Sequence, residues 1–214
     1  MECCQCEGIE IKFDQKYVAK KLKQYREKGP KKTTRILIDV LKDALDHEMT
    51  LLDIGSGLGE IQHELLHTGV TESINCEASS GYIDACKDEA ERQGHARRIT
   101  HFKGNFVDSA ESIPSADIVT LDRVICCYHD MPDLVNKSLS KTRKLYGIVI
   151  PIDKWWVKIG ISIYYNLRFL IQRNPFRIFV HPPEDVETLI TNHGFRNIFC
   201  QIEGTWQISV YEKI

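Results

Sequence analysis

Between residues 50 and 152 the chain alternates between two apolar rhythms. Short runs at 50–54, 73–77, 99–103, 117–121 and 146–152 have strand length and are bounded by turn residues. Between them, helical spacing predicts helices over 60–68, 80–93 and 132–143, the first two closed by Gly69 and Gly94. Strands that alternate with helices of this length predict a parallel sheet covered on both faces. Ahead of this region, Val18, Leu22 and Tyr25 share one face of a predicted helix over 13–28, which Gly29-Pro30 stops. Thr33 or Thr34 is the expected cap of a second helix, with Leu37, Leu41, Ala44 and Leu45 as its core stripe.

The last part of the chain changes pattern. A helix over 184–193, closed by Gly194, precedes two strands at about 195–202 and 206–212. Glu203-Gly204-Thr205 joins those strands tightly, which predicts an antiparallel hairpin at one edge of the sheet. An extra segment, residues 154–181, separates this hairpin unit from the rest. Within it Trp155, Trp156, Ile159, Ile163, Leu167, Leu170 and Ile171 recur at helical spacing, with Lys158, Asn166 and Arg168 between them. Three readings fit: a helix packed on the domain, a lid at the carboxyl end of a central strand, or a helix lying on a membrane surface. The whole chain, residues 1–214, reads as one domain, with 1–32 as an N-terminal cap and 154–181 as an insertion.

Composition narrows the class without choosing the chemistry. A 43 % hydrophobic content is ordinary for a globular chain, and a net charge of −2 gives no global drive toward nucleic acid or anionic lipid. The first residues, Met-Glu-Cys-Cys-Gln-Cys-Glu-Gly, lack the basic start and apolar stretch of a signal peptide. No stretch offers the roughly 18 apolar residues of a membrane span. Eight cysteines without a secretion signal point to reduced thiols in the cytoplasm. Cys3, Cys4 and Cys6 lack a fourth ligand at a familiar spacing, so the expectation is a reduced, frayed tail and no metal site.

Chemistry concentrates at residues 51–59, Leu-Leu-Asp-Ile-Gly-Ser-Gly-Leu-Gly. An apolar strand carrying one acid, Asp53, turns sharply into a helix that begins near Glu60. Gly55, Ser56, Gly57 and Gly59 form the turn, where missing Cβ atoms let a ligand approach and the helix end offers free amides. A phosphate cradle of the nicotinamide type spaces its glycines as G-x-G-x-x-G. Here the third glycine comes one residue early, and Asp53 would repel a pyrophosphate while suiting a cation.

This strand-turn-helix resembles the nucleoside-binding motif of class I S-adenosylmethionine (SAM)-dependent methyltransferases. The stretch Leu-Asp-Arg-Val-Ile-Cys-Cys-Tyr-His-Asp-Met-Pro at 121–132 looks most like the matching segment of magnesium-protoporphyrin O-methyltransferases and of unassigned small-molecule relatives. In the porphyrin enzymes a His precedes the Tyr, whereas here Cys127 precedes Tyr128 and His129 follows. The resemblance implies a Rossmann-like, doubly wound α/β/α sandwich with a seven-stranded, mostly parallel sheet and a C-terminal antiparallel hairpin. It also implies SAM as cofactor and a small-molecule acceptor, with no nucleic acid expected.

Carried onto this chain, the resemblance assigns Glu77, at the end of the second strand, to the ribose hydroxyls, with Ala78 leaving room for adenine. Asn105 stands where the family often has an Asp that accepts from the adenine amino group, and Phe106 would cover the ring. Asp122 is the candidate facing the methionine half, beside Arg123; a salt bridge between the two is the alternative. Tyr128 and His129 are the catalytic candidates, as acceptor-orienting hydroxyl and base, against a plain helix-capping loop. Cys126 and Cys127 read as buried filler. Tyr17, Tyr25, Thr33 and Thr34 are positioned to close over the cofactor. Trp155, Trp156 and His181 are substrate candidates near the mouth, and peripheral membrane contact through 155–171 stays open. Two other functions also stay open, a nicotinamide-dependent oxidoreductase and a non-catalytic SAM-binding partner protein.

Overall fold

Seven strands form one sheet in the order β3-β2-β1-β4-β5-β7-β6. The computed structural model describes residues 4–46 and 48–214, apart from the side chains of Cys4 and Ser162. Strands β1 (Thr50–Ile54), β2 (Glu72–Glu77), β3 (Ile99–Lys103), β4 (Ala116–Asp122) and β5 (Thr142–Pro151) run parallel. Strands β6 (Phe195–Glu203) and β7 (Trp206–Lys213) are the expected hairpin, and β7 inserts antiparallel against β5.

Strand alternation explains why both faces of the sheet are dry. Leu52, Ile54, Val119, Leu121, Ile148 and Ile150 point to one side, where α7 (Met131–Ser140) and α10 (Pro183–Asn192) pack. Leu51, Ile118, Val149, Ile208 and Val210 point to the other, under α3 (Lys32–Asp43), α4 (Glu60–Thr68) and α5 (Ser80–Gln93). The strand order reverses at β1, which lies between β2 and β4. A crevice opens at such a switch point, outside the carboxyl ends of the strands.

Several local expectations are corrected. Residues 4–12 are not a frayed tail but a helix, α1 (Cys4–Lys12), ahead of α2 (Gln15–Lys28). Its reason is tertiary: the Arg177 amide donates to Gln5 Oε1 at 3.0 Å, and Asn174 Nδ2 donates to the Gly8 carbonyl at 3.2 Å. Gly8 permits this approach, since a Cβ there would overlap the Phe176 backbone. Of the cysteine cluster, Cys3 and the Cys4 side chain lie outside the described residues. Thr33 and Thr34 do not cap α3; the N-cap is Lys31, and both threonines are buried in the first turn. Helix α7 ends at Ser140, and β5 starts at Thr142, which pairs with Ala116 and donates its hydroxyl to the Ser138 carbonyl at 2.9 Å.

The insertion departs most. It forms α8 (Trp155–Ile159), a π-helical stretch (Gly160–Asn166) and α9 (Leu167–Ile171), and then returns without regular structure to α10. Asn166 ties the return, exchanging hydrogen bonds with Ile178 at 2.8 and 2.9 Å. The buried anchors are Val157 and Phe169, whereas the apolar stripe predicted from spacing faces outward.

Candidate functional site

A cavity of about 310 Å³ opens at the carboxyl ends of β1, β2 and β4, within the size range of small-molecule sites. Its floor is the glycine turn. Gly55 and Gly57 both take positive φ, 64° and 57°, but for different reasons. A Cβ at Gly55 would overlap the Val124 side chain, so that glycine serves packing. At Gly57 the nearest atom to a Cβ is Tyr82 Cε1 at 3.8 Å, so that glycine leaves open space. Gly59, expected to bind cofactor, is the left-handed N-cap of α4 and does not line the cavity; a Cβ there would overlap Gln62. Ser56 lines the cavity, and its hydroxyl is buried without a partner among the described residues.

Glu77 closes β2 and faces this turn. Its Oε2 accepts from the Gly57 amide and its Oε1 from the Ser79 amide, both at 2.9 Å. Burial pushes its carboxyl upward against those bonds. Ala78 lines the wall beside it. Asp53 is buried behind the turn. Its Oδ1 accepts from Thr120 Oγ1 at 2.7 Å, while Oδ2 has no partner among the described residues. Burial raises its pKa to about 8. Glu60, at the start of α4, also lines the cavity, and burial raises it too.

Asp122, at the tip of β4, pairs with Arg123 Nε at 2.8 Å and accepts from Thr34 Oγ1 at 2.6 Å. Arg123, in left-handed backbone at φ 63°, also donates from Nη2 to Thr34 at 2.5 Å. The salt bridge and the cavity position of Asp122 therefore coexist.

Asn105 and Phe106 both line the cavity. Asn105 is the N-cap of the short α6 (Phe106–Ser109), and its Oδ1 accepts from the Val107 amide at 3.2 Å. Its Nδ2 donates to Asp108 at 3.0 Å and to the Tyr128 hydroxyl at 3.2 Å. The oxygen expected to receive an adenine amino group thus accepts one bond already and keeps a second lone pair. Phe106 is also part of the core, so both readings of it meet in one ring.

Of the catalytic and substrate candidates, Tyr17 and Tyr128 reach the cavity. His129 is exposed outside the lining, its ring 5.2 Å from that of Tyr128. His181 is also outside, with Nε2 2.9 Å from the Tyr128 carbonyl oxygen. Tyr25 is buried on the far face of α2, in a groove with Arg26 and Glu64. Trp155 and Trp156 point to solvent and line nothing here.

The sequence reading missed several walls. Tyr82 sits in the first turn of α5, three residues after its Ser79 cap, where the approach to Glu77 was the available signal. Phe13, between α1 and α2, packs its ring 5.2 Å from Tyr82 and 6.1 Å from Phe176. Phe176 comes from the insertion, and no local pattern marks it. Lys31 and Lys21 complete the rim.

No protein-family model matches the chain, and no curated protein matches it. Solved structures do match. Magnesium protoporphyrin IX methyltransferase from Synechocystis PCC 6803, crystallised with SAH, superposes with a TM-score of 0.66 at 13 % identity, over 85 % of this chain and 82 % of that one. An O-methyltransferase family protein from Burkholderia thailandensis gives 0.73 at 14 % identity, over 96 % and 62 %. The CcbJ methyltransferase from Streptomyces caelestis gives 0.62 at 14 % identity, over 86 % and 90 %. The likeness is one of fold: this chain has the Rossmann-like methyltransferase fold expected from its sequence.

Proposed function

We propose that this protein is a SAM-dependent methyltransferase acting on a small molecule. The observation that carries the reading is a pair of acids at the switch point. Glu77 caps the open side of the glycine turn, and Asp53 holds an unpartnered carboxylate oxygen behind it. That donor set fits a sugar with two hydroxyls and a cationic amino-acid end. It does not fit a pyrophosphate, because the Gly57 amide that would cradle a phosphate already donates to Glu77. The nicotinamide reading is disfavoured on that ground.

When bound, SAM supplies a methyl group on a sulfonium, open to in-line attack by a nucleophile. The chain's own part is to bind, position and exclude water. The Glu77 carboxylate has about four acceptor sites and uses three on the Gly57, Ser79 and Ala78 amides, which leaves room to accept from a ribose hydroxyl. Glu60, and Asp53 once it gives up its proton, balance positive charge near the turn. Phe13, Tyr17, Tyr82 and Phe176 cover the cavity with rings. Tyr128, held by Asn105, is the hydroxyl set to orient an acceptor. His129 stands outside at that lip, so on this reading a hydroxyl acceptor loses its proton toward solvent through His129 rather than to a buried base.

The thiols support a cytoplasmic setting. Cys6, Cys76, Cys86, Cys126, Cys127 and Cys200 are free thiols. No helix among the described residues is long and apolar enough to cross a membrane.

Incubation with methyl-labelled SAM and a small-molecule extract tests the proposal. Transfer of label to a low-mass compound is expected. Bound SAM with no transfer to any fraction would leave a binding protein instead.

A further inference from the structure

The outer face of the insertion has no counterpart among the described residues. From α8 through α9, Trp155, Trp156, Ile163, Tyr164, Leu170 and Ile171 all project into solvent, and Trp155 and Ile171 are 73 % and 74 % exposed. Single exposed apolar residues are unremarkable, but a run confined to one protruding element marks an interaction site. Among the described side chains of the helical part, Val157 and Phe169 are the buried ones, and most of its apolar side chains stay outside.

The charges around it say what kind of surface it meets. Residues 154–181 contain Lys154, Lys158, Arg168, Arg173 and Arg177, and no Asp or Glu. Lys12 of α1 continues this basic rim, its ammonium 5.3 Å from the centre of the Phe169 ring. The bordering acid, Asp153, is paired with Lys158 at 2.6 Å. A two-fold partner would set this basic rim against itself, because an isologous contact brings each patch onto its own copy. An anionic surface has no such penalty. Tryptophan and tyrosine beside lysine and arginine on an apolar helix is the composition that lies in a bilayer interface. At helical rise the stretch is about 25 Å long, and Lys158 and Arg168 interrupt it, so it suits lying in the plane rather than crossing.

We propose that the 155–171 element docks this protein onto an anionic lipid surface. This docking is independent of the methyl-transfer reading, because it uses no residue of the cavity. Phe176 follows the element in the chain and lines the cavity, so the docked face adjoins the cavity's cover.

The test uses the full chain and vesicles of phosphatidylcholine with or without phosphatidylglycerol. Co-sedimentation is expected with the anionic vesicles only, weakening as salt rises. Two of the three tryptophans lie in the patch, so fluorescence should shift to the blue on binding, and Trp155→Phe with Trp156→Phe should lose most of that shift. Lys154→Gln with Arg168→Gln, both exposed, should weaken binding about 30-fold at roughly 1 kcal/mol per cation, with an unchanged Tm. Protein that stays in the supernatant with anionic vesicles overturns the proposal, as does equal binding to both vesicle types. So does a concentration-dependent dimer in sedimentation velocity that Trp155→Ser with Ile171→Ser abolishes, in the absence of vesicle binding.

Discussion

Glu77 Oε2 accepts the Gly57 amide at 2.9 Å, which locks the acid ending β2 onto the turn ending β1. One carboxylate thereby sets both the shape of the turn and the hydrogen bonds offered to a ligand. Glu77→Gln keeps the size but turns one acceptor into a donor that faces the amide. Calorimetry with SAM should show affinity weakened by about 1–3 kcal/mol. Unchanged affinity would remove Glu77 from the sugar site.

The two glycines of the turn should fail differently. Both sit at positive φ, which costs a residue with a Cβ about 1–2 kcal/mol. Only Gly55→Ala adds an overlap, with Val124, so its Tm should fall further than that of Gly57→Ala. Val124→Ala should recover part of the loss at Gly55 and none at Gly57. Equal Tm losses, or no rescue, would contradict the packing role of Gly55.

Asp53 makes a pH prediction with a definite sign. Its pKa is raised from an ordinary 3.8 to about 8 in the fold, so the native state holds a proton that the unfolded chain releases. Its contribution is full below about pH 4 and is lost as pH rises toward 8. Urea melts across that window should show wild type losing stability relative to Asp53→Asn. Affinity for SAM should rise over the same range, as the carboxylate forms beside a cation. A flat difference between the two proteins would contradict the buried, protonated acid.

His63, fully buried on α4, acts in the opposite direction. Burial lowers its pKa from 6.5 to about 4, so it stabilises the fold while neutral. That contribution is present above about pH 6.5 and is lost as pH falls toward 4. His63→Gln should therefore show a shallower acid loss of stability than wild type in the same urea melts.

How far the sequence revealed this depended on whether a signal was local. The parallel strands, the glycine turn and the hairpin at 203–205 each rest on neighbours in the chain, and each was legible. Helix α1 was not, because residues 4–12 show no apolar stripe and are held by Asn174 and Arg177 across the fold. Apolar spacing in 155–171 marked a helix but left its orientation open between packing on the domain, a lid and a surface-lying helix. The anchors Val157 and Phe169 are set by contact with the body, not by periodicity. At the site, strand tips fixed Glu77 and Asp122. The helix-capping role of Asn105 was not legible, because it depends on the turn at Phe106–Ser109 and on Tyr128. Tyr82 and Phe176 reach the cavity from elements whose docking no single segment encodes.

The central claim is that the crevice at the tips of β1 and β2 receives a cationic nucleoside. Titration calorimetry with SAM and NAD side by side on the full chain tests this most directly. Saturable one-site binding of SAM, lost or weakened in Glu77→Ala, with no heat from NAD, is the predicted result. Saturable NAD binding, or SAM binding indifferent to Glu77→Ala, would contradict it.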